Sequence, residues 1–161
     1  MQPHNDLARS SIRRNGLVEG ELAPSFTLPC INGSEVSLKD FEGRSRLLIF
    51  SDLNCAPCNA LLPVLIEASA HTPDVQILLV SRGSLEANKG KFAGLPDKIA
   101  VVLQRNWEIS RSYATFGTPV AYFIDEQGVI RGKIAEGPAA VINLMFTAQI
   151  RILLGFLQAI S

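Results

Sequence analysis

Residues 46–71 read RLLIFSDLNCAPCNALLPVLIEASAH, and this stretch decides the fold. The apolar run over 46–51 predicts a buried strand, and the apolar segment from Cys58 to about His71 predicts a helix. The motif Cys55-Ala56-Pro57-Cys58 lies between them, where the helix begins. A Cys-x-x-Cys motif between a strand and a helix indicates a redox-active pair of thiols.

The start of a helix is a favourable place for a thiolate. Unpaired N–H groups and the helix dipole stabilise an anion there, so the thiol pKa should fall below its reference of about 8.5. We expect Cys55 to be the more exposed thiol and the nucleophile, and Cys58 to be the resolving thiol. Ala56 and Pro57 add no charge, and proline lacks an N–H, so the fall in the Cys55 pKa should be moderate.

The composition excludes several classes of function. A chain of 161 residues, 47% hydrophobic and 19% charged, fits one globular domain. The zero net charge and 7% aromatic content argue against a nucleic-acid partner. Three cysteines are too few for a disulfide-stapled scaffold. The leftover Cys30 is expected to be a buried, inert thiol, with a regulatory or mixed-disulfide role as the alternative.

The rest of the chain alternates strands and helices. We expect a loose polar arm over residues 1–20, without a signal peptide or membrane span, and one domain over 21–161. A hairpin is predicted for 25–28 and 35–38 around Asn32-Gly33. Further strands are predicted at 75–81, 99–104, 119–125 and 129–134, and helices at 84–92, 106–116 and from about 138 to 161. This order predicts an α/β fold with a mixed sheet and helices on both faces.

A zinc site is the alternative use of the cysteines. Zinc takes four ligands, and the chain offers Cys30, His4 and His71 besides the motif. The sequence has no second Cys-x-x-Cys and no His-x-His pair to complete a site. Redox chemistry is therefore favoured, and neither a metal nor another cofactor is expected.

Two prolines and two carboxylates near the motif have open interpretations. Pro63 either breaks the predicted helix in two or kinks it over the sheet. The Thr118–Pro119 bond begins a strand, and local sequence alone favours trans, because only about 5–6% of such bonds are cis. Asp52 and Glu86 are the carboxylates that we expect to lie nearest the thiols. Asp52 is the candidate proton relay, and a merely solvated side chain is the alternative for both.

Residues 141–161 are unusually apolar. Five residues of this segment share one narrow stripe, and the rest are mostly apolar: Asn143, Thr147, Arg151, Gly155 and Gln158. The remaining face is wider than one sheet-packing helix needs, and Arg151 argues against a membrane span. This face is either buried in the domain's own core or contacts a membrane surface or a second copy of the chain.

Three separated motifs resemble the thioredoxin-like superfamily, within it the TlpA-like thiol–disulfide oxidoreductases, and among those the MauD-like members. The resemblance covers about residues 16 to 145. The motifs are the segments at 23–43, at 50–63 (FSDLNCAPCNALLP) and at 117–128 (GTPVAYFIDEQG). They imply a thioredoxin-like fold with an N-terminal hairpin, Pro119 in cis beside the cysteines, and substrate contacts from Thr118, Pro119, Ala56 and Pro57.

The chain also departs from the family's pattern. Asn54 stands where the family often has tryptophan before the first cysteine. The position of the buried acid in thioredoxin itself falls at Ile49, and that of another acid in TlpA-like proteins falls near Ser84. The proton relay is therefore unassigned by the resemblance.

The resemblance implies a disulfide reductase with protein clients and an upstream electron donor, in an extracytoplasmic compartment. A peroxiredoxin-type peroxidase is the second hypothesis, since it shares the fold. Its Pro-x-x-x-Thr/Ser-x-x-Cys motif fits neither Cys55 nor Cys58. The third is a non-enzymatic binding or assembly module that docks through the C-terminal helix, against which the intact Cys-x-x-Cys motif argues.

Overall fold

A computed structural model describes residues 15–160 of the chain, with the side chains of 149–156 and 159–160 left out of the description. The described part contains strands, α-helices and a short 3₁₀ helix at Leu38–Phe41. In chain order the strands and α-helices are β1 (Thr27–Pro29), β2 (Glu35–Ser37), β3 (Ser45–Phe50), α1 (Ala56–His71), β4 (Val75–Ser81), α2 (Leu85–Lys91), β5 (Ile99–Leu103), α3 (Glu108–Ser112), β6 (Val120–Ile124), β7 (Ile130–Glu136) and α4 (Pro138–Ile160).

Strand β3 is the centre of a five-stranded mixed sheet with the order β5-β4-β3-β6-β7. β4 runs parallel to β3 and β5 parallel to β4, whereas β6 is antiparallel to β3 and β7 to β6. β3 and β4 are buried along their whole length, which explains why their sequences are nearly continuous apolar runs. β1 and β2 form the predicted antiparallel hairpin outside this sheet.

Alternate residues of β3 supply two hydrophobic cores, one on each face of the sheet. Leu47 and Ile49 pack on the side that α1 and α4 cover. Leu48 and Phe50 pack on the other side, with the hairpin and residues of α3. Helices therefore cover both faces, as the order of the predicted elements indicated.

The strand register determines which loops meet. Phe50 pairs with Val80 in β4 and with Val120 in β6, and Ser81 pairs with Leu103 in β5. The loops that follow the parallel strands β3, β4 and β5 leave the sheet at one edge, and Pro119, just before β6, reaches the same edge. The Cys-x-x-Cys turn follows β3 and therefore lies among these loops.

The expectation of a loose arm is wrong for its last residues. Residues 1–14 lie outside the described part of the chain, but Leu17 is buried. The backbone N–H of Leu17 donates to the Tyr122 hydroxyl at 3.0 Å, and that of Gly16 donates to the Ala114 carbonyl at 2.9 Å. A polar composition predicted exposure, whereas a buried tyrosine hydroxyl supplies the acceptor that fixes this segment.

Helix α3 is shorter than the predicted helix over 106–116. Trp107 has φ 65° and Ala114 has φ 54°, so a left-handed residue interrupts the helix on each side. The side-chain oxygen of the buried Gln104 accepts from the N–H groups of Ile109 and Ser110. This cap determines where α3 starts, and its contribution was not visible in the apolar spacing.

The helix α1 continues through Pro63 to His71, so Pro63 does not break it in two. The predicted C-terminal helix is also present as α4. No helix in the described part of the chain combines the length and apolar character needed to cross a membrane.

Candidate active site

Cys55 and Cys58 form a disulfide with an S–S distance of 2.06 Å and a Cα–Cα distance of 5.2 Å. Cys55 is the N-cap residue of α1, and its Sγ accepts from the backbone N–H of Cys58 at 3.2 Å. Pro57, in the first turn, brings no N–H to the site. The predicted placement of both sulfurs at the start of the helix is confirmed.

Both cysteines are buried in the disulfide form, and Cys55 is the more exposed of the two. Their exposed fractions are 8% for Cys55 and 3% for Cys58, whereas Ala56 and Pro57 are exposed. The order of exposure agrees with the roles expected for a nucleophile and a resolving thiol. The roles themselves stay predictions.

The Thr118–Pro119 peptide bond is cis, as the resemblance implies. Pro119 precedes Val120, which pairs with Phe50, so Pro119 lies beside the residue that follows β3. Its carbonyl accepts from the N–H of Gly137 at 2.9 Å, which fastens the loop to the start of α4. Thr118 is half-buried. The fold thus brings the predicted substrate contacts to the edge of the sheet that carries the disulfide.

The carboxylate of Asp52 is ion-paired. Its Oδ2 accepts from Arg82 Nε at 3.1 Å and from Arg82 Nη2 at 2.8 Å. The Arg82 guanidinium thus holds this carboxylate at the turn before Cys55, and the role of Asp52 as a proton relay stays a prediction. Glu86, the other candidate, is exposed in the first turn of α2.

Two cationic residues that were not predicted from the sequence hold the turn before Cys55. Arg82 is one, and Lys91 is the other: its Nζ donates to the backbone carbonyls of Asp52 at 3.2 Å and Leu53 at 2.8 Å. The sequence could have indicated Arg82. It follows a buried strand that is parallel to β3, so it lies at the same edge of the sheet as the turn. No sequence pattern indicated Lys91, which lies 38 residues along the chain from Leu53 and does not directly follow a strand.

Two aromatic residues extend the site from Arg82 toward the cis-proline. The Arg82 guanidinium lies over the Trp107 ring, 3.7 Å from its centroid, and the Trp107 and Phe116 ring centroids are 5.9 Å apart. Phe116 precedes Gly117-Thr118-Pro119 in the chain. The left-handed backbone of Trp107, with φ 65°, has no local sequence signal.

Of the other residues considered for zinc, the two that the structure describes do not form a metal-binding group with the motif cysteines. Cys30 is a free, buried thiol that forms a β-bridge with Val102. His71 is the last residue of α1, at the opposite end of the helix from the disulfide. His4 lies outside the described residues. Cys30 is thus a buried thiol, as predicted, and both sulfurs of the motif are taken up by their own bond.

An apolar cavity of about 380 Å³ lies between α1 and α4. Pro63, Val64, Ala68, Met145 and Phe146 are among the residues that line it, and neither cysteine of the motif does. The cavity therefore belongs to the packing of the two helices and not to the redox site.

A dithiol that opens the helix after the central strand of a mixed sheet is the defining arrangement of the thioredoxin-like thiol–disulfide oxidoreductases, and this enzyme class is the one the fold and site support. The chain belongs to the AhpC/TSA family, whose model matches residues 20–133.

Curated relatives support the same class. The chain is 30% identical over 120 residues to the thioredoxin-like protein YneN of Bacillus subtilis, covering 72% of this chain and 71% of YneN. It is 30% identical over 129 residues to the thiol-disulfide oxidoreductase ResA of Geobacillus thermodenitrificans, covering 77% of this chain and 72% of ResA. It is 27% identical over 114 residues to the methylamine utilization protein MauD of Paracoccus versutus, covering 71% of this chain and 57% of MauD.

A solved structure matches the fold. The thioredoxin domain of a thiol-disulfide oxidoreductase from Bacteroides vulgatus superposes with a TM-score of 0.71 at 25% identity, covering 81% of this chain and 97% of that domain. The comparisons confirm the predicted thioredoxin-like fold, the resemblance to MauD-like proteins and the class of oxidoreductase.

Proposed function

We propose that the enzyme reduces disulfides of protein clients, with Cys55 as the nucleophile and Cys58 as the resolving thiol. The observation that supports the proposal is the placement of Cys55 at the N-cap of α1, where its sulfur accepts the N–H of Cys58. The same N–H would stabilise a thiolate once the disulfide is reduced. Cys58 is the less exposed of the two and would act second, on the mixed disulfide of Cys55.

The reaction proceeds by two exchanges. The Cys55 thiolate attacks one sulfur of the client disulfide, the client S–S bond breaks, and the second client sulfur leaves and takes a proton from water. The Cys58 thiolate then attacks the Cys55 sulfur of the mixed disulfide and expels the first client sulfur. Two electrons pass to the client, the Cys55–Cys58 disulfide remains, and an external dithiol donor must reduce it again.

The client contacts come from the two segments that flank the disulfide. Ala56 and Pro57 are exposed beside Cys55, and the half-buried Thr118 with Pro119 lies at the same edge of the sheet. These four residues would hold a client main chain next to Cys55. The exposed Phe116 adds an apolar border to this surface.

We also propose an extracytoplasmic place of action and a contact through α4. The resemblance to MauD-like proteins favours an extracytoplasmic place of action. Phe146 and Leu157 of α4 are exposed, which supports this helix as a contact with a membrane surface or a second copy. Sedimentation of the protein with and without anionic vesicles distinguishes membrane binding from dimerisation. A protein that stays monomeric and does not bind vesicles would contradict both.

The test is reduction of insulin in the presence of a dithiol donor. We expect Cys55→Ser to abolish reduction, Cys58→Ser to accumulate mixed disulfides with the client, and Cys30→Ala to match the parent protein. Consumption of hydrogen peroxide is measured on the same protein samples as insulin reduction. Peroxide turnover that exceeds insulin reduction would replace the reductase assignment with a peroxidase.

A further inference from the structure

Lys91 is bonded to the turn that places Cys55. It is the last residue of α2, and its half-buried ammonium group donates to the carbonyls of Asp52 and Leu53, at 3.2 Å and 2.8 Å. The Asp52 carbonyl also accepts from the backbone N–H of Cys55 at 3.3 Å. One oxygen atom therefore joins the Lys91 ammonium to the residue that carries the reactive sulfur.

The positive charge of Lys91 lies against this turn. Its two hydrogen-bond acceptors are neutral carbonyls, whereas the other cation at the turn, Arg82, is paired with the Asp52 carboxylate at 2.8 Å. Burial lowers the pKa of Lys91, and the negative charge of Asp52 raises it in opposition. Glu86 and Lys89, the other charged side chains of α2, are exposed and more strongly screened.

We propose that Lys91 is a positioning residue of the redox reaction, which fixes the turn before Cys55 and supplies the positive charge that favours Cys55 as a thiolate. The proposal rests on the proposed role of Cys55 as the nucleophile. A nearby opposite charge favours the charged form of a group. Lys91 therefore increases the reactive fraction of Cys55 at neutral pH and makes the dithiol form easier to reach.

The test compares Lys91→Gln, Lys91→Arg and the matched control Lys89→Gln in the reduced protein. Glutamine keeps a hydrogen-bond donor but no charge, and arginine keeps the charge. Alkylation by iodoacetamide is followed at each cysteine from pH 5 to 9, and the equilibrium with glutathione is measured on the same samples. Circular dichroism and urea unfolding confirm that each variant is folded.

We expect Lys91→Gln to reduce alkylation of Cys55 at pH 7 by about three- to fivefold, because one positive charge is removed from the turn before this thiol. Lys91→Arg should restore most of the rate, and Lys89→Gln should match the parent protein. The difference should shrink in 1 M salt because the charge is screened. The glutathione equilibrium should move toward the disulfide form in Lys91→Gln.

Two failures are distinguishable. If Cys58 is alkylated faster than Cys55 in the parent protein, the proposed nucleophile is wrong. If Cys55 reacts first but has the same pH profile in Lys91→Gln, the proposal for Lys91 is overturned and the function stands. An arginine variant that behaves like glutamine would show that the charge is not what matters and would also overturn it. If Lys91→Gln does not fold, Lys91→Met provides the uncharged comparison.

Discussion

The guanidinium carbon of Arg82 lies 3.7 Å from the centroid of the Trp107 ring. The same guanidinium holds the Asp52 carboxylate at 2.8 Å, and the Trp107 ring contacts Phe116 beside the cis-proline loop. Arg82 thus connects the turn before Cys55 with the loop that precedes β6. These two segments carry the proposed client contacts. Because Arg82 contacts both of them, their relative position depends on one side chain from a third loop.

Replacing Arg82 by alanine should destabilise the protein by about 1–2 kcal/mol, from the lost stacking on Trp107 and the lost, partly exposed ion pair. It should also raise the KM for insulin more than it lowers kcat. Arg82→Lys should recover little, because lysine has neither the planar group nor the paired donors. Urea unfolding followed by the fluorescence of the single tryptophan measures the stability.

The control for Arg82 is Arg105→Ala, since Arg105 is exposed in the loop after β5. It removes one positive charge, as Arg82→Ala does, but leaves the Arg82 contacts with Asp52 and the Trp107 ring in place. An equal rise in KM for both variants would attribute the effect to overall charge and not to the connection through Arg82.

Replacing Asp52 by asparagine separates the proton relay from the ion pair. If the carboxylate mainly pairs with Arg82, the variant should keep the pH profile of insulin reduction and lose about 0.5–1 kcal/mol of stability. Loss of the negative charge should also increase alkylation of Cys55 at pH 7, by about two- to threefold. A fall in kcat of about 100-fold, with the mixed disulfide accumulating, would instead support Asp52 as the relay.

The Tyr122 hydroxyl should make stability fall at alkaline pH. It donates to the Tyr113 carbonyl at 2.6 Å and accepts from the N–H of Leu17 at 3.0 Å. Burial raises the pKa of Tyr122 to about 12, although the Leu17 N–H opposes the shift. Above its ordinary pKa of about 10 the unfolded chain loses this proton and the folded chain keeps it, so the stability is complete below pH 10 and is lost between pH 10 and 12.

The measurement is the free energy of unfolding in urea at pH 9 and pH 11.5, for the parent protein and Tyr122→Phe. Tyr122 should account for a loss of about 2 kcal/mol over this range, which the phenylalanine variant lacks. The variant should start about 1–3 kcal/mol lower at pH 9, because the Leu17 N–H and the Tyr113 carbonyl lose their partner. Equal pH dependence in both proteins would contradict the assignment to Tyr122.

Much of the fold could be predicted from the sequence, because buried strands and helix caps leave local patterns. β4 has its predicted bounds, and Ser84 caps α2 through the N–H of Ala87, as a serine before a helix indicates. The disulfide could be placed for the same reason, since the strand, the motif and the helix are contiguous.

What escaped prediction depends on partners far apart in the chain. Leu17 is ordered by a hydroxyl 105 residues away, and Lys91 reaches a carbonyl 38 residues away. The limits of α3 depend on left-handed backbone at Trp107 and Ala114, two residue types that rarely adopt it. Such contacts follow from the register of the sheet, which the sequence pattern of each strand does not specify.

The reduction potential of the Cys55–Cys58 pair determines the direction of the reaction. A stabilised thiolate favours the reduced form and makes the pair more oxidising. The stabilising groups are the start of α1, the N–H of Cys58 and, by the proposal above, Lys91. Ala56 and Pro57 contribute neither a charge nor a side-chain donor. We therefore expect a potential between about −270 mV, the value of thioredoxin, and about −120 mV, the value of DsbA, and closer to thioredoxin.

Equilibration with glutathione buffers, read by mass spectrometry of alkylated Cys55 and Cys58, measures this potential. Cys30→Ala is the matched background, because it removes the buried third thiol and leaves the pair intact. A value in the expected interval supports a reductase that an external dithiol donor keeps reduced. A value near the DsbA end would mean that the disulfide form accepts electrons from client thiols, and the protein would then introduce disulfides instead of removing them.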